Sequence, residues 1–250
     1  MTDFAAISHR AETALGLTTP PVAVSFFDEP PKNVAMASTP VPAGCSFWEI
    51  GAKTTVATSA EHHALCSIGI HTHNLADAPS GQPRELESAL AAMQGLDYVR
   101  PAEIAALPVM TKSNKHVVYG PLSAVTSVPD VVLLFARASQ SLIISEASAR
   151  VDGGAPLAMG RPACALIPQV LNSSRCVSSL GCCGARAYLD VMSDDIALWG
   201  LPGEKLDSYV AEIEILANAN SVLAQFHQIR KAAVESGESP TVEQSLAKLG

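Results

Sequence analysis

Val117-Val118-Tyr119-Gly120-Pro121-Leu122 and Val131-Val132-Leu133-Leu134-Phe135-Ala136 decide the fold class. Both are short apolar runs rich in β-branched or aromatic residues, with Pro121 and Pro129 marking their ends. Such a run bounded by turn residues reads as a strand. Working outward, Val22–Phe27 reads as a buried strand closed by Glu29-Pro30-Pro31. Thr54–Ser59 is β-branched and reads as another, and Val177–Leu180 runs as a strand into a glycine-bracketed turn. Helical spacing marks Phe4–Leu15, with apolar positions at Phe4, Ile7, Ala11, Ala14 and Leu15. Pro83–Leu96 gathers Leu86, Leu90 and Met93 on one helical face. Ser139–Ala149, Asp194–Trp199 and Gly203–Ser221 read as further helices, and Ser46–Ala52 as a short one. Ala60–Cys66 reads as a helical turn leading to Gly69, and Cys164–Leu171 as a helical stretch interrupted by Pro168. Strands and helices interleave irregularly. That pattern predicts one mixed α+β domain, a central sheet flanked by helices, over residues 1–237. A loosely ordered tail is expected at 238–250.

The chain has 250 residues, of which 48% are hydrophobic and 16% charged, so it can bury a substantial core. A formal net charge of −8 argues against nucleic acid or an anionic membrane as the main partner. It leaves room for a local basic pocket and for association into a homo-oligomer. The longest apolar run, Val131–Ala136, is far too short to span a bilayer. Met1-Thr2-Asp3-Phe4 does not begin a basic region followed by an apolar stretch, so a cytoplasmic location is expected.

In that compartment thiols stay reduced, and the six cysteines call for another explanation than three disulfides. Gly181-Cys182-Cys183-Gly184 places two of them side by side in a turn, with Arg186 just beyond. A thiolate beside a guanidinium is favoured over the neutral thiol. Cys45, Cys66, Cys164 and Cys176 are scattered, and none forms a CxxC pair. A shared site would have to be assembled by the fold. Small buried apolar filler is the competing reading of each cysteine.

Several stretches, taken in order, resemble one family. They are Cys45 followed by Phe47-Trp48 and Ala52, then Cys66-x-x-Gly69, then Gly160-Arg161-Pro162-Ala163-Cys164. Ser179-Leu180-Gly181-Cys182-x-Gly184-x-Arg186 and Asp195–Pro202 complete the set. Together they resemble the DUF169 family across most of the chain. The resemblance assigns no activity. It implies that Cys45, Cys66 and Cys182 belong to the family pattern, with Cys164 close to it. Cys176, Cys183 and the His71-Thr72-His73 stretch are local departures.

Three cysteines from separate loops can hold a [4Fe–4S] cluster and leave one iron open. An open iron is a Lewis acid toward a hydroxyl, carboxylate, halide or thio group. The expected function is therefore a non-redox lyase, hydratase or group-removing enzyme, dehalogenase- or desulfidase-like, acting on a small anionic molecule. Cys45, Cys66 and Cys182 are the expected ligands, and Cys164 either closes the site or is structural. Arg186 is the expected fork for an anionic group. His63, at i, i+3 from Cys66, is the expected acid or base, while His62 is expected in solvent. The alternative is a non-catalytic protein binding a metal, haem or small ligand. Zinc held by Cys45, His63, Cys66 and His71 or His73 is one form of it. For His71 and His73 a polar loop is the expected setting. Thiol catalysis by Cys182 or Cys183 is a further possibility.

Overall fold

Every residue of Val131–Ala136 is buried. A strand buried along its whole length needs cover on both faces, and its side chains divide accordingly. Val131, Leu133 and Phe135 enter one hydrophobic cluster, and Val132, Leu134 and Ala136 enter another on the opposite face. At about 1.5–3 kcal/mol for each large apolar side chain buried, this strand alone contributes on the order of 10 kcal/mol before entropy is counted.

The computed structural model describes residues 2–249. The chain runs α1 (Phe4–Leu15), β1 (Val22–Phe27), α2 (Ser46–Gly51), β2 (Val56–Ser59), α3 (Ser67–Thr72), α4 (Gln82–Gly95) and α5 (Pro101–Ala105). It continues β3 (His116–Pro121), β4 (Val131–Ala136), α6 (Ala138–Asp152), β5 (Leu157–Met159), α7 (Leu166–Ser173) and β6 (Val177–Ser179). It ends β7 (Ala197–Pro202), α8 (Leu206–Glu235) and α9 (Val242–Leu246). The seven strands form one sheet in the order β2-β3-β1-β4-β7-β6-β5. All pairs are antiparallel except β5 with β6. α1, α6 and α8 cover one face; α2, α7 and the cysteine-bearing segments cover the other. This is a single α+β domain, as the interleaving of strands and helices predicts. Among the described residues no helix is long and apolar enough to cross a membrane.

The ends of α1 follow from its sequence. Asp3 accepts a hydrogen bond from Ala6 N at 3.0 Å, and Gly16 closes the helix at φ 63°. Pro168 does not interrupt α7. It is the third residue of that helix, in the first turn, where no backbone N–H is needed.

Three expectations need correction. Asp194–Trp199 is not a helix: Ala197–Pro202 is β7, paired with β4 and β6. Its flat, close contact with α7 depends on Gly200, where a Cβ would lie 2.4 Å from Leu166 Cδ2. Ala60–Cys66 is a chain of turns, and helix begins only at Ser67. The segment after Gly237 carries α9, capped by Thr241 and Gln244, with Ser245 buried. α4 forms where the apolar spacing places it, yet none of its residues is fully buried.

Candidate thiol site

Four cysteines reach the α2/α7 face of the sheet from four segments. Cys45 precedes α2, Cys66 precedes α3, Cys164 lies in the 3-10 turn Ala163–Ala165, and Cys182 follows β6. Glycines make room for them. A Cβ on Gly69 would lie 2.9 Å from Cys66 Sγ, so Cys66-x-x-Gly69 lets the sulfur fold back over the first turn of α3. Gly181 holds φ 87°, a conformation that favours glycine, and so turns the chain into Cys182. All six cysteines are free thiols, Cys182 and Cys183 included.

Two of the thiols, Cys45 and Cys164, are held above their ordinary values. Burial pushes the Cys45 thiol up to about 12, and the Cys66 and Cys182 thiols add to the rise. Burial likewise holds Cys164 well above its usual range, with Cys66, Cys45 and Cys182 contributing. Thr72 Oγ1 donates to Gly69 O at 3.3 Å and lies 3.9 Å from Cys164 Sγ. Cys176 stands apart, buried in the cluster on the opposite face, where it behaves as apolar filler. Cys183 is exposed, and its N–H donates to the Tyr98 hydroxyl at 3.4 Å.

Arg186 does not present the expected fork. Its Nε donates to Leu180 O at 3.0 Å and one Nη to Ile196 O at 2.7 Å, with further bonds to Leu180 O and Ser193 O. One N–H is left over, which cannot grip a carboxylate in two places. Arg186 instead ties the Cys182 turn to the chain entering β7. No cationic side chain is thereby assigned to balance thiolate charge among the four cysteines.

His63 and Cys66 share no helix face, because the segment between them is turns; Cys66 N donates to His63 O at 2.8 Å. His63 turns inward instead and is wholly buried. Its ring centroid lies 5.0 Å from Phe47 and 6.3 Å from both His73 and Tyr119. A Cβ on Gly44 would lie 2.6 Å from His63 Nδ1, so glycine beside Cys45 is required by this ring. Burial, with the nearby His73 and His62, lowers His63 to about 3. The ring is neutral at ordinary pH and unsuited to donate a proton as an imidazolium. His62 is not in solvent: its Nδ1 accepts from Ser59 N at 3.1 Å and its Nε2 donates to Ala37 O at 2.8 Å.

The two histidines expected in a polar loop separate. His71 is exposed, while His73 is buried on α3's C-terminal side and lowered to about 4, mainly by burial. Tyr119, on β3, is the site residue that the sequence reading passed over. Burial raises its hydroxyl well above the usual range, and Cys164, Cys45 and Cys66 all add to the rise. Its place was signalled by strand alternation, which puts Val117 and Tyr119 on one face. Among the described residues no group of three or more His, Cys, Asp or Glu side chains is arranged to hold a single metal ion. In a cluster each thiolate binds its own iron, so the sulfurs stand wider apart.

Fold and site together define a three-layer α+β protein with four cysteines, two buried and two half-buried, on one face of its sheet. The chain belongs to the DUF169 family, described as "Uncharacterised ArCR", which it matches over residues 12–212. All four cysteines, both buried histidines and Tyr119 fall within that span. No curated protein and no solved structure matches the chain.

Proposed function

We propose that the protein holds a [4Fe–4S] cluster through Cys45, Cys66 and Cys182, with Cys164 beside it, and removes a small group from a small molecule by non-redox chemistry. The observation that carries this reading is that four cysteines from separate segments meet on one face of the sheet, Cys66 and Cys182 near enough to raise both the buried Cys45 and the buried Cys164 thiol, with no assigned cation. Thiolates there need positive charge from elsewhere, and a metal centre supplies it. Bound by three thiolates, a cluster offers one iron as a Lewis acid toward a leaving hydroxyl or thio group. The chain's own contribution is placement. Gly69 and Gly181 set the Cys66 and Cys182 segments, and Arg186 braces the Cys182 turn. Cys66 and Cys182 are half-buried, so access is from their side. Reduced thiols of this kind suit the cytoplasm.

Anaerobic purification with iron, sulfide and zinc analysis and an absorption spectrum tests the reading. Iron and sulfide in near-equal amounts are expected, with loss of both in Cys45→Ser, Cys66→Ser and Cys182→Ser. Protein that carries neither sinks it. The second reading is a non-catalytic metal-binding protein. It is favoured by the unpartnered Nδ1 atoms of His63 and His73, which suit zinc together with thiolates. Zinc that is lost in His63→Gln would establish it.

A further inference from the structure

The hydrogen bonds of the two buried imidazoles fix their tautomers. Thr58 gives its single hydroxyl hydrogen to the Val117 carbonyl at 3.0 Å. Toward His63 Nε2, at 3.1 Å, Thr58 Oγ1 can then only accept. His63 therefore carries its hydrogen on Nε2 and keeps a bare lone pair on Nδ1. A carbonyl fixes the other ring in the same way, since His73 Nε2 lies 3.3 Å from Cys164 O. Neither Nδ1 has a partner within the chain, and neither does the Tyr119 hydroxyl. All three side chains are at most 1% exposed. The His63 ring lies 6.3 Å from each of the other two. The Nδ1 edge of His63 reaches Gly44, next to Cys45, and His73 leans on Cys164.

Buried polar atoms are nearly always paired, and of the seven unpaired among the described residues these three belong to His63 and to the two rings that each pack 6.3 Å from it, a grouping that describes a binding pattern. Two atoms accept and one donates. The complement is a molecule with two hydrogens and a lone pair. We propose that His63 Nδ1, His73 Nδ1 and Tyr119 Oη together receive a neutral dihydride, water or hydrogen sulfide, beside the four cysteines. Its two hydrogens go to the imidazole lone pairs, and its own lone pair accepts from Tyr119. It is the molecule that attacks or departs in a group-removing reaction; only that role rests on the function proposed above. A carboxylate brings lone pairs alone and meets two more, so the pattern rejects it. The expected anionic partner also lacks its fork, because Arg186 is committed to carbonyls.

The test is ¹⁵N NMR of the whole protein as purified, labelled at histidine, with its iron and sulfide content measured in parallel. The resting spectrum should show both rings protonated at Nε2 and bare at Nδ1. Hydrogen sulfide at mildly acidic pH should move both Nδ1 resonances, and formate at the same concentration neither. Tyr119→Phe, His63→Gln and His73→Gln should each weaken the response roughly tenfold, about one hydrogen bond's worth. Glutamine can keep an N–H for Thr58 or Cys164 O while losing the ring and its Nδ1 lone pair, so these variants retain the anchoring bond. If sulfide does nothing but a bound-water cross-peak at both rings disappears in Tyr119→Phe, the occupant is water and the proposal holds. A protonated Nδ1 in the resting protein, a response to formate, or no bound species at all overturns it. So does loss of metal in either glutamine variant, which would make the Nδ1 atoms ligands. Iron-free protein that still answers to sulfide refutes the cluster and leaves this inference standing.

Discussion

Acid should unfold this protein through His63 and His73. Both imidazoles are neutral in the folded state, held at about 3 and about 4 against an ordinary value of 6.5. Both have depressed folded values, so below 6.5 the unfolded chain takes up a proton that the native chain refuses. Stability therefore falls as pH drops, beginning near 6.5 and ending only when the native rings titrate. Between pH 7 and pH 5 each ring costs about 2 kcal/mol, from roughly 1.5 pH units at 1.4 kcal/mol each, and the pair about 4 kcal/mol. That is a large share of the roughly 5–15 kcal/mol typical of a folded domain. The assay is urea unfolding of reduced, chelator-treated protein followed by circular dichroism at the two pH values. His63→Gln and His73→Gln do not titrate there, so each should flatten the pH dependence by about half. Carboxylates act in the opposite or the same direction by their own shifts; Asp130, for one, is raised by burial. Comparing variant with wild type at each pH cancels them. If both variants lose as much stability at pH 5 as the wild type, the rings are not buried neutral groups and the reasoning fails.

Three more outcomes are expected. Tyr119→Phe removes the donor to the molecule proposed between the imidazoles, so the variant should lose about 1 kcal/mol, a fall of a few degrees in a thermal scan. A higher melting temperature would mean that the hydroxyl is buried without a bound partner. Gly44→Ala drives a Cβ to 2.6 Å from His63 Nδ1, against a ring packed on Phe47, and should cost about 1–3 kcal/mol in a urea midpoint. An unchanged midpoint contradicts the placement of that ring. Cys164→Ser should keep most of the iron if three thiolates hold the cluster; complete loss would make Cys164 the fourth ligand and close the iron to substrate.

The fold was legible where local pattern and tertiary need coincide. β4 is a six-residue apolar run, and its burial on both faces leaves no other assignment. α1 has both its spacing and its caps in the sequence. β7 was not legible, because Asp194–Trp199 carries acidic residues followed by apolar ones, as a helix start does. What decides for strand is distant: pairing with β4 and β6, and a glycine under Leu166 and Val170 of α7. α4 shows the reverse case, a helix correctly spaced whose apolar face finds no deep cover.

The site divides along the same line. Cys45, Cys66, Cys164 and Cys182 could be singled out because cysteine is scarce and each stands by a glycine or an element boundary. The roles given to His63 and Arg186 rested on nearness in sequence, and there the inference failed. Three residues along a chain of turns are not a helix face, and a guanidinium near loose carbonyls bonds to them before it can serve a ligand. Tyr119 shows why nearness misleads. It lies more than 50 residues from Cys66 and more than 40 from Cys164 in the chain, yet the sheet places its hydroxyl within the electrostatic reach of both. A tyrosine inside a strand is ordinarily core. Here the core it faces includes Phe47, the His63 imidazole and nearby thiols, so a polar group is buried among polar neighbours. Apolar residues at 63, 73 and 119 together would serve stability at least as well. A chain that keeps three buried polar atoms without partners of its own in that position has the pattern expected of a binding site.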